Sequence, residues 1–145
     1  MLQTIHKKIK DILVNFQSLS LLLARLIVAY GFFQPAKAKW GDINAIAEWF
    51  GSMGMPFPTL NAYMAASTEA LGVVLLTLGL FIRVISIPLM VVMVVAIATV
   101  HLAHGFEAGN NGFEIPLYYM LFLFIFLSHG AGKFSLDHLI FGKDK

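Results

Sequence analysis

The 145 residues include no cysteine. That excludes a disulfide, a thiolate-ligated iron–sulfur cluster and a thiol nucleophile, so any redox chemistry has to come from a cofactor or a partner. It carries no information about compartment. Charge is scarce too: 12% of residues are charged against 59% hydrophobic, with a mean hydropathy of +0.80. An ordinary soluble domain does not tolerate that balance, and the chain reads as one integral membrane unit over residues 1–145. The formal charge is +2, yet the basic residues gather at segment ends instead of forming a stripe with aromatics between them, which argues against nucleic acid as a partner. Also missing are a glycine-rich phosphate loop, a nucleophile elbow, a metalloprotease helix motif and carboxylates paired at catalytic spacing. Stand-alone catalysis is therefore not expected. The first fifteen residues carry a basic cluster, but no small-residue cleavage site follows the next apolar run, so that run reads as a retained span and not as a signal peptide.

What is present is a set of apolar segments at about residues 16–34, 59–82, 84–104 and 115–132, each near the roughly 20 residues that a bilayer requires. The expected fold is all-α: a four-transmembrane-helix bundle in the lipid bilayer. The second segment is the centre of the pattern. Ala65, Gly72 and Gly79 recur along it every seven residues, a face where another helix can approach closely, and Glu69 lies beside that face. The very short connection around Arg83 forces segments two and three into an antiparallel hairpin. Between segments one and two, Ile43, Ile46, Ala47, Phe50 and Met53 follow helical spacing. They predict an amphipathic interfacial helix lying on the membrane, with Trp40 and Trp49 at headgroup depth. Pro56 and Pro58 stop it, Thr59 can cap the next helix, and Ser135 with Asp137 can start a short terminal helix over LDHLIF.

Four spans put both termini on one side. Lys7, Lys8, Lys10, Arg83, Lys133, Lys143 and Lys145 fall there, and only Lys37 and Lys39 on the other. By the positive-inside rule the seven mark the cytoplasm, so His101, His104, Glu107 and Glu114 face outward.

Two constellations could carry chemistry. Arg25 is about nine residues into the first span and Glu69 about ten into the second, so at roughly 1.5 Å per residue both come near mid-depth and can meet. Such a pair is either a structural ion pair or one that also binds or relays protons. At the outer mouth, His101 and His104 share a helix face near Glu114, Tyr118, Tyr119 and Lys37. That cluster is either a belt of interfacial residues or a site where the two histidines hold a transition metal. Met53 and Met55 offer thioethers suited to Cu(I), or simply fill space.

The chain resembles the DoxX family of small four-helix bacterial inner-membrane proteins. The resemblance rests on Arg25 with Gly31, on Glu69 with Leu71 and Gly72, on the LGLFIR run ending at Arg83, and above all on Gly130, Gly132, Lys133, Ser135 and Asp137. The first loop, QPAKAKW, departs from the family's usual glycine and single lysine, so either Lys37 or Lys39 can match that lysine. The stretches KWGDINAIAEWFGSMGMPFPTLNAY and HGFEAGNNGFEIPLYYM are similar to the HvfX-like branch, associated with copper-binding modified peptides. The resemblance implies a multi-pass bacterial inner-membrane protein acting as accessory to a copper or redox stress system. A partner would be a redox enzyme or peptide-maturation proteins. The alternative it implies is a quinone-binding subunit of an oxidoreductase, with Arg25 and Glu69 handling protons and the aromatic fourth helix against the ring; copper or quinone is the implied cofactor.

Overall fold

The computed structural model describes residues 1–142, so Lys143 and Lys145, both counted on the terminal side, lie outside the described residues. Seven α-helices account for most of them: α1 Leu2–Val14, α2 Gln17–Gly41, α3 Ile43–Ser52, α4 Pro58–Leu78, α5 Ile82–Ala96, α6 Glu114–His129 and α7 Leu136–Phe141. No strand occurs among the described residues. Three helices are long and apolar enough to cross a membrane: α2, α4, and α5 with its continuation to His104. Helix α6 is apolar but shorter, at 16 residues.

The helices end where local chemistry says they should. Pro58 opens α4, where its missing donor costs nothing, and Gly79 closes it in the left-handed conformation (φ 70°). The cap before Pro58 is Phe57, not Thr59, which falls inside the first turn. Asp42 caps α3 by accepting from Ala45 N at 3.0 Å. Ser135 caps α7 by accepting from His138 N at 3.2 Å.

Helix α2 does not stop at Pro35. It continues to Gly41, seven residues past the expected end of the first span. Leu21, Arg25, Val28, Phe32 and Ala36 are buried along it, and the 3.6-residue repeat brings Lys39 onto that same face. Opposite, α4 buries Ala62, Ala66, Glu69, Gly72 and Leu76. Gly72 earns its place there, since a Cβ would press on the Leu89 methyls of α5 at 2.8 and 2.9 Å. Leu76, Ile82, Leu89, Leu123 and Phe126 complete a core drawn from α4, α5 and α6. The outward faces stay apolar, with Leu23, Ile27, Leu71, Val84, Ile87, Val91 and Phe124 all exposed, as a lipid-facing surface requires.

Helix α3 forms as expected, but its apolar side faces protein. Ala47 and Phe50 are buried against Ala62 of α4, while Trp49 remains exposed. Helix α5 passes into one π turn at Ile97–His101, a rare feature that occurs frequently at functional sites.

Candidate functional site: an ion-paired cavity

Between α2, α3, α4, α5 and α6 lies a cavity of about 830 Å³. Its walls are mainly aliphatic and aromatic, and a few polar groups converge on it: Lys39, Asn61, Thr68, Glu69, His101 and Tyr119. Lys39 Nζ lies 2.9 Å from Glu69 Oε2 and 3.1 Å from Oε1, a bidentate contact. The side chains are 16% and 4% exposed. A carboxylate so enclosed is expensive unless a cation and hydrogen bonds offset the lost hydration, and Lys39 supplies both. The adjoining Trp40 donates its indole N–H to Ala66 O at 3.2 Å, tying the end of α2 to α4 one turn from Glu69. Across the cavity, the Tyr119 ring packs on Phe32 with centroids 5.5 Å apart. Gly31 makes that possible, because a Cβ there would overlap the phenol.

The expected meeting of Arg25 with Glu69 does not occur. Arg25 is fully buried and donates to Leu76 O at 2.9 Å and to Phe134 O at 2.6 Å. The reason is register. Because α2 runs on to Gly41, Arg25 falls in its first third, level with the last turn of α4. There the guanidinium meets unpaired carbonyls and the negative end of the helix dipole. The C-terminal motif completes this latch. Asp137 accepts from Phe81 N at 2.7 Å and from Ile82 N at 3.0 Å, capping α5 from outside the helix, and its own N–H donates to Gly79 O at 2.9 Å. Lys133 N donates to Ser18 Oγ at 3.2 Å, and Ser135 Oγ to Gly132 O. Gly130 and Gly132 both take positive φ, 76° and 79°, which lets the chain turn back under the bundle. Arg25, Ser135 and Asp137 thus hold the end opposite the cavity together.

The outer cluster assembles only in part. Glu114 Oε1 accepts from the Tyr118 hydroxyl at 2.9 Å and Oε2 from Ala108 N at 2.9 Å, fastening the loop to α6. His101 Nδ1 contacts Asn111 O at 2.8 Å, and His104 Nδ1 contacts Val100 O at 2.9 Å. The π turn ends at His101, and a 3-10 turn carries the chain on to His104. Among the described residues no group of three or more His, Asp or Glu side chains could hold a metal ion. Lys37 is exposed, and Lys39 is the lysine that reaches the site. The sequence carried a signal for this: residues 25, 32 and 39 repeat at seven-residue spacing, which keeps one helix face only if α2 passes through Pro35.

Fold and site together define an all-helical membrane protein with an ion-paired, apolar-walled cavity between its helices. The chain belongs to the DoxX family, whose sequence profile, described as DoxX, matches residues 20–102. A Haemophilus influenzae (strain ATCC 51907 / DSM 11121 / KW20 / Rd) protein called "Uncharacterized protein" is 34% identical over 125 residues, 83% of each chain. A Bacillus subtilis (strain 168) protein bearing the name "Putative oxidoreductase CatD" is 32% identical over 121 residues, 83% of this chain and 86% of its own. No solved structure matches the chain. The profile match takes in Arg25, Lys39 and Glu69 and ends before the Gly130–Asp137 motif.

Proposed function

We propose that the chain is a membrane-embedded accessory subunit of a redox system that holds an apolar ring ligand of the quinone class in its cavity. The observation that carries this reading is the cavity itself: about 830 Å³, walled mainly by apolar side chains, with the Lys39–Glu69 pair in its lining. Ligand sites of roughly 300–1,000 Å³ with a few convergent polar groups are the usual form for small hydrophobic molecules. Support also comes from the oxidoreductase in the name of the Bacillus relative.

A quinone, when bound, supplies a two-electron, two-proton carrier. The chain's own contribution is to receive the ring between Phe32, Tyr119 and Met93, and to offer polar atoms at one side. Lys39 Nζ has three N–H donors, of which two serve Glu69, leaving one for a ligand carbonyl. Glu69 can accept or return a proton beside it, and Tyr119 can donate from across the cavity. Arg25 takes no part. Copper does not enter the proposal, which rests on the cavity.

In the same reading α6 crosses with α2, α4 and α5, giving four spans. Both termini lie in the cytoplasm and the cavity opens toward the outer half of a bacterial inner membrane. A short-chain ubiquinone titrated into the purified protein should quench tryptophan fluorescence saturably, because Trp49 lines the cavity. An Ala65→Phe variant, which fills the cavity from α4, should bind at least tenfold more weakly. Linear quenching of equal slope in both proteins would remove the cavity as a quinone site.

A further inference from the structure

Helix α1 has no role in the cavity or in the latch, and none of its residues is buried. Its sequence is nevertheless divided in two, with Val14 the one apolar residue of the helix on the polar side. At 100° per residue, Leu2, Ile5, Ile9, Ile12 and Leu13 fall within one stripe about 100° wide, and Phe16, just after the helix, continues it. Lys7 lies opposite, beside Thr4 and Asp11, while Lys8 and Lys10 sit at the two borders of the stripe. An isolated helix shorter than about 12–15 residues is marginal in water, and α1 has 13. Left uncovered, it would expose these five large aliphatic side chains and gain nothing that holds it helical.

We infer that α1 is a membrane-surface anchor that lies on an anionic lipid leaflet, apolar stripe down, with its lysines among the headgroup phosphates. Continuity makes the occupant specific. Only Asn15 and Phe16 separate α1 from α2, a helix long and apolar enough to cross a membrane, so the lipid surface begins where α1 ends. Charge makes it anionic. Three lysines stand against one aspartate, and the two border lysines can lay their stems along the stripe and lift their ammonium groups to the phosphates. Asn15 caps the end of α1 by donating its side-chain amide to Asp11 O at 3.1 Å, marking where α1 stops before α2 begins at Gln17.

The absence of native cysteine makes a direct test possible. Full-length protein carrying Ile9→Cys or Lys7→Cys, each labelled with an environment-sensitive fluorophore, is placed one copy per lipid nanodisc. The discs contain phosphatidylcholine alone or with phosphatidylglycerol. Quenching by neutral acrylamide should be at least threefold weaker at position 9 than at position 7 in the anionic discs. That contrast should shrink in phosphatidylcholine, and shrink likewise when Lys8 and Lys10 are both changed to Gln. Equal quenching at the two positions in anionic discs would overturn the inference. So would shielding of position 9 that is indifferent to lipid charge, or that arises only in discs holding two copies, which would assign the stripe to a second chain. Quinone binding is independent of α1, so either idea can fail alone.

Discussion

Changing Lys39 to Met strands the Glu69 carboxylate, whose side chain is 4% exposed, without its cation. Removing one member of a buried pair costs about 3–5 kcal/mol. The low end, about 3 kcal/mol, fits here because the pair is not fully enclosed: Lys39 is 16% exposed and lines the cavity. Glu69→Met should cost less, about 1 kcal/mol, since the freed ammonium can extend its stem toward water. The double variant removes both charges at once, and apolar replacement of a buried pair is often close to neutral; allowing about 1 kcal/mol for repacking, the cycle closes on a coupling of about 3 kcal/mol. Arg25 behaves differently. Its guanidinium rests on Leu76 O, seven residues or roughly 10 Å along α4 from Glu69. With no shared partner, Arg25→Met and Glu69→Met should add to within about 0.5 kcal/mol. Unfolding of the purified protein by dodecyl sulfate in mixed micelles, followed by tryptophan fluorescence, gives both cycles. Trp40, bonded to Ala66 beside the pair, makes that signal local. Additive losses at Lys39 and Glu69 together with strong coupling between Arg25 and Glu69 would refute the assigned partners.

Asp137→Ala removes both acceptors that cap α5 at Phe81 and Ile82 and should destabilise by roughly 1–3 kcal/mol, with Asp137→Asn milder because one acceptor remains; the same unfolding assay ranks them, and an alanine variant as stable as the parent would strip the cap of importance. The proposed orientation predicts that Asn110→Cys reacts with an impermeant thiol reagent once the outer membrane is permeabilised, whereas Gln3→Cys reacts only after lysis. The opposite labelling pattern would invert the topology.

Hydropathy and turn chemistry are local properties, and what depends on them was legible in the residues alone. The apolar runs around Leu21, Leu76 and Leu89 mark membrane helices. The tight α4–α5 hairpin follows from the short connection expected around Arg83, which the fold sets at residues 79–81 with Arg83 already inside α5; the amphipathy of α3 follows from the spacing of Ile43, Ala47 and Phe50, and the α7 start from Ser135. Partner choice is not local. Whether Glu69 meets Arg25 or Lys39 depends on how far α2 continues past Pro35, since a shift of a few residues slides one helix against the other by a full turn. The expected end of the first span is at about residue 34; in the fold α2 continues through Pro35 and carries Lys39 to the carboxylate. Counting residues puts Arg25 near mid-depth, whereas the fold sets it at the end of the bundle, where the α4 carbonyls and Phe134, 109 positions away in sequence, reach its guanidinium. The apolar side of α3 likewise had two possible coverings, lipid or protein, of equal hydropathy. Packing against Ala62 decided it, because small residues on α4 leave room there that no periodicity reveals.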